Sequence, residues 1–167
     1  MKNVATNQDI TELENKTDFN REKIESFKES FYYLKMFELQ EKNNNRVYSN
    51  KNDIPDAKYI HRNTFVDHLC VISSQSVLDL ANRIFVAVCT KTDKMSFIDY
   101  VKYYDILQSK NIEKKLMFNF LLIDQAKKEQ IDKSDFKSFI VLFFKVSENL
   151  NEDTSARDQT KREKWID

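Results

Sequence analysis

The chain has 167 residues with 27 basic and 27 acidic side chains, so no overall field draws it to nucleic acid. It contains no glycine and one proline, where average usage would place about 12 glycines. A glycine-rich phosphate loop is thereby excluded, and with it most nucleotide-loop enzymes.

Scarce breakers and abundant Leu, Lys, Glu and Phe predict an all-α fold with little or no sheet. A hydrophobic content of 41%, including 13 Phe and 7 Tyr, suffices for a core in one domain or two small lobes. Residues 1–18 read as a polar tail, with neither the apolar stretch of a secretory signal nor a periodic apolar face. No apolar run approaches the roughly 18 residues of a membrane span. The expected class is a cytoplasmic or cytoskeletal helical protein, with two free cysteines and no membrane or nucleic-acid partner.

Residues 19–146 read as a run of about three helix–loop–helix repeats, at about 27–70, 78–107 and 113–146. In the first, Phe27, Phe31, Leu34 and Phe37–Leu39 form an apolar stripe at helical spacing. A polar stretch from Gln40 to Lys58, with Asn43-Asn44-Asn45 and Pro55, separates it from Ile60, Thr64-Phe65-Val66 and Leu69. That stretch is too long for a 12-residue loop and reads as an insertion. In the second repeat, Arg83 to Val88 ends an incoming helix and Phe97 to Val101 opens an outgoing one. Ser96 and Asp99 form an S-x-x-D cap between them. Only Asp93 and Asp99 supply carboxylates there.

The third repeat is the most regular. Counted from Asp124, a 12-residue calcium loop would take oxygens at positions 1, 3, 5, 7, 9 and 12, with glycine at position 6. Ile131 falls at position 8, Asp132 at 9 and Asp135 at 12. Position 3, however, is Ala126, position 5 is Lys128 and position 6 is Glu129. The frame is that of an EF-hand without its ligands. Asp93, Asp99, Asp124, Asp132 and Asp135 are therefore vestigial loop positions, and for Asp132, Asp135 and the Ser96–Asp99 pattern helix capping explains the residues better than metal ligation. Repeats one and two are expected to pair through Ile60 and Met95. The third has no fourth repeat to pair with, because residues 147–167 read as a second polar tail. Its apolar helix is then the expected partner surface, through Phe136, Phe139, Ile140, Phe143 and Phe144, with Trp165 as an anchor in the tail.

His61, His68, Cys70 and Cys89 match no short zinc-ligand spacing, and His68 and Cys70 point to different sides of one helix. No convergent acid/base or nucleophile set is visible, so neither an enzyme nor a cofactor is expected.

The order of features resembles the calaxin branch of EF-hand proteins, near the neuronal calcium sensors and calcineurin B. The likeness runs from about Phe19 to Leu142. It rests on Phe31-Tyr32-Tyr33-Leu34, Arg62-Asn63-Thr64-Phe65, Arg83-Ile84-Phe85, Glu113-Lys114-Lys115-Leu116 and Phe120 to Ile123-Asp124. It implies a docking subunit of a ciliary, outer-dynein-arm type of assembly that binds a helical or filamentous protein partner. The missing ligands make that role calcium-independent. The rival expectation is a calcium-sensing regulator or motor light chain whose helices open on binding.

Overall fold

The computed structural model describes residues 4–42, 58–70, 74–89 and 93–163, with backbone alone for residues 41, 42 and 150–163. Seven helices and two short strands lie among these residues, in the order α1 (Asn7–Lys16), α2 (Arg21–Lys42), β1 (Tyr59–His61), α3 (Arg62–Leu69), α4 (Gln75–Val88), β2 (Lys94–Ser96), α5 (Phe97–Gln108), α6 (Ile112–Ile123) and α7 (Lys133–Glu163). The sheet is a single antiparallel pair in the register Tyr59↔Ser96, Ile60↔Met95 and His61↔Lys94. Ile60 and Met95, the pair expected from the sequence, form its centre and are fully buried.

Each strand runs directly into a helix, and for α5, after β2, the start is written in the sequence. Ser96 and Asp99 close a reciprocal cap at α5: the Ser96 hydroxyl accepts from Asp99 N at 3.1 Å, and Asp99 Oδ2 accepts from Ser96 N at 3.1 Å. Ser74 caps α4 through Val77 N, and Asn111 caps α6 through the amides of Glu113 and Lys114. Such caps satisfy amides that a helix leaves unbonded in its first turn.

The core lies between α2, α3, α4 and α5. Phe31 meets Phe97 and Tyr100 edge-on, with ring centroids 5.8 and 5.4 Å apart. Phe65 meets Phe85 and Tyr103 at 6.0 and 5.5 Å. Burial of each such ring contributes on the order of 2–3 kcal/mol, so this cluster sets the relation of unit one (α2, β1 and α3) to unit two (α4, β2 and α5). The unit α6–loop–α7 packs beside it on α4.

Two boundaries differ from the sequence expectation. The presumed N-terminal tail contains α1, started by a reciprocal cap between Thr6 and Asp9. Ile10 and Leu13 are fully buried where α1 meets α2 and α5. Two apolar residues at i, i+3 suffice to seat a short helix, although its overall composition is polar. Downstream, Asp18 N donates to Asp105 Oδ1 at 2.9 Å, which ties this segment to α5. At the other end, α7 does not stop at residue 146 but continues to Glu163. Asn149 anchors it by donating to Ser76 Oγ of α4 at 2.8 Å.

Candidate functional site in the third unit

The loop from Asp124 to Asp132 is organised around carboxylates that hold no metal ligand set. Asp124 is buried, and its two oxygens accept from Lys128 N at 2.9 Å and Glu129 N at 2.7 Å. These bonds curl the loop back on its first residue. Lys127 and Glu129 occupy left-handed backbone, at φ 54° and 59°, a region glycine enters without steric cost and other residues enter under strain. Asp132 Oδ1 accepts from Ser134 N and Asp135 N, both at 2.9 Å, and so starts α7.

Across this loop lies the Lys128 ammonium. It donates to Asp132 Oδ2 at 2.8 Å and to Asp135 Oδ2 at 2.7 Å. The two carboxylates hold the ammonium above the usual lysine range. Lys128, with Ser134 and the Asp135 amide, holds Asp132 below the usual carboxylate range. The side chain at position 5 thus bridges the carboxylates at positions 9 and 12. Among the described residues, no group of three or more His, Cys, Asp or Glu side chains is gathered to hold a metal ion.

The other candidate ligands are dispersed. Asp99 is buried in its capping role, and Asp93 gives its backbone carbonyl to Arg62 N at 3.0 Å. His61 Nδ1 lies 2.6 Å from Glu38 Oε1. Cys89 is buried, and burial pushes its thiol up to about 12. His68 is lowered by burial, which disfavours its charged form. A cleft of about 810 Å³ separates α4 from α7, lined by polar groups such as Asp79, Asn82, Arg83 and Lys145.

The apolar residues expected on the partner surface divide into two sets. Phe143 and Phe144 are 54% and 62% exposed, and Phe136 is 52% exposed. Phe139 instead packs partly against the core, and Ile140 is half-buried. Leu142 and Val146 are the buried face of α7. Trp165 lies outside the described residues.

Sequence reasoning missed the matching surface on α6. Phe118 and Leu122 point inward, whereas Ile112, Leu116 and Met117 are each more than 60% exposed. The signal was present in IEKKLMFNFLLI, which carries apolar residues all around the helix, more than one buried face can use. No protein-family profile, curated protein or solved structure matches the chain.

Proposed function

We propose that the chain is a calcium-independent adaptor or docking subunit built on a degenerate EF-hand scaffold, with the α6–α7 unit as its docking surface. The observation that carries this reading is the Lys128 bridge, 2.8 and 2.7 Å from the carboxylates at positions 9 and 12. A calcium loop uses its cation to draw those positions onto the rest of the loop. Here a covalently tethered ammonium stands across them, and Coulomb repulsion opposes a divalent ion in the same place.

Three features support the EF-hand part of the reading. Units one and two join through a short strand pair centred on Ile60 and Met95. The loop of unit three curls on an initial aspartate. Its sixth residue takes positive φ, where a calcium loop uses glycine. The docking part rests on exposed aromatic and aliphatic side chains on α6 and α7, where a free surface of this kind marks an interaction site. The resemblance to calaxin-like proteins directs the search for partners to ciliary docking assemblies.

Isothermal titration of the full chain with millimolar calcium tests the reading. The expected result is no saturable heat and no change in helical signal between calcium and chelator. A saturable heat with a micromolar midpoint would overturn it in favour of a sensor.

A further inference from the structure

We propose that the docking surface of the third unit is occupied by the same unit of a second copy of this chain, in a two-fold dimer centred on Ile131. The proposal rests on the docking reading above and names its occupant. The template for it lies within the chain. Ile60 and Met95 each stand two residues before an outgoing helix, followed by His61 before α3 and Ser96 before α5. These two apolar residues face each other in the antiparallel pair that joins unit one to unit two. Ile131 occupies the same place in unit three, two residues before α7, followed by the capping residue Asp132. Among the described residues the sheet contains β1 and β2 alone, so Ile131 enters no strand pairing. Within the described residues the chain after this loop continues as α7, to Glu163.

An antiparallel strand pair in which one residue faces its own copy is two-fold symmetric by construction, the requirement of an isologous interface. Unit three is therefore complementary to itself at the position where units one and two are complementary to each other. The helices flanking the loop supply the apolar contact. Ile112, Leu116 and Met117 of α6 and Phe136, Phe143 and Phe144 of α7 are each between 52% and 71% exposed. Side chains of this size half exposed offer about 100 Å² each. Six of them give about 1,200 Å² over two copies, the lower bound for a specific interface, before any strand or rim contact. A single amphipathic helix from another protein would cover the apolar side chains and leave Ile131 unpaired. Only a partner that carries both a helix pair and a strand position matches both features.

Sedimentation of the full chain from 1 to 200 µM tests this, together with two variants. The expected wild-type result is a dimer of twice 20.0 kDa. Phe143→Asp with Phe144→Asp should weaken it at least about 100-fold, as loss of central aromatic anchors does, with the helical signal kept. Ile131→Cys should form a disulfide-linked dimer under mild oxidation, because facing residues of an antiparallel pair lie about 4.5–5.5 Å apart at Cα, within disulfide reach. Thr11→Cys in α1 should not. A wild-type monomer at 200 µM overturns the proposal, as does a dimer that Ile131→Cys fails to capture or that the folded double variant retains. If the double substitution unfolds the chain, the Ile131→Cys capture decides alone. A monomer that still ignores calcium leaves the adaptor reading standing, whereas a dimer that binds calcium at micromolar concentration removes the adaptor reading and keeps the dimer.

Discussion

Replacing Glu38 by Gln isolates the interaction that fixes unit one. Glu38 is 2% exposed at the C-terminal end of α2, and its carboxylate gathers three elements. Oε2 accepts from His61 N at 2.8 Å and from Thr64 Oγ1 at 3.2 Å, while Oε1 accepts from Lys35 Nζ at 3.0 Å. Burial by itself would raise this carboxyl, but the His61 amide, Lys35 and the His61 ring outweigh it and hold it at about 2, against an ordinary 4.5. A difference of that size corresponds to about 3 kcal/mol in favour of the folded state when the group is ionised. Because the folded value is depressed, the contribution is complete above pH 4.5 and is lost as pH falls toward 2. Urea unfolding of wild type and Glu38→Gln between pH 7 and pH 3 reads it directly. The variant should be less stable by about 3 kcal/mol at pH 7, or roughly 6–12 °C in Tm for a chain of this size. The gap should narrow toward acid pH. A gap that stays constant with pH, or one below about 0.5 kcal/mol at pH 7, would refute the assignment of this stabilisation to the Glu38 charge.

The remaining expectations concern α1 and the third loop. Leu13→Ala should cost about 2–5 kcal/mol in urea unfolding, as for a fully buried leucine; an unchanged midpoint would return α1 to the status of a tail. Lys128→Met should raise the Asp132 carboxyl toward its ordinary range, followed by NMR titration, because Lys128 is the first cause of its depression; an unmoved titration would remove the bridge. Glu129→Gly should stabilise by up to about 1 kcal/mol, since relief of strain at φ 59° is partly offset by the freedom glycine gains when unfolded. A loss of stability there would show that the Glu129 side chain has a role the backbone does not reveal.

Much of the fold was legible because its signals are local. Position 8 of the loop frame identified Ile60 and Met95 as a pair, and S-x-x-D identified the cap of α5. Of the residues expected on an apolar face of the third repeat, Phe136, Phe143 and Phe144 are more than half exposed, whereas Phe139 and Ile140 are half-buried. What stayed hidden depends on distance or on weak periodicity. Glu38 and His61 are 23 residues apart across a stretch that reads as an insertion, so no local pattern joins them. In α1 only Ile10 and Leu13 carry the packing, and a mainly polar decapeptide conceals two such positions. The outer surface of α6 was concealed by excess, because a helix apolar on every side has no face to point with. The C-terminal boundary was misplaced because polarity after Val146 does not itself end a helix, and α7 runs on to Glu163.

Under the proposed reading, the exchange of a diffusible cation for Lys128 changes the kind of protein this scaffold can be. A bound ion stabilises the state it prefers by an amount that follows its free concentration, which is what makes a sensor respond. The Lys128 ammonium is present at fixed stoichiometry, and its contact with Asp132 holds that acid in its ionised form well into the acid range. The force that orders the loop therefore has no concentration to follow. With the loop held between the buried Asp124 and the cap of α7, the angle between α6 and α7 becomes a constant of the fold. The apolar side chains on those helices are then presented in the same way at any calcium level, and a face that is always presented suits permanent assembly better than a switch.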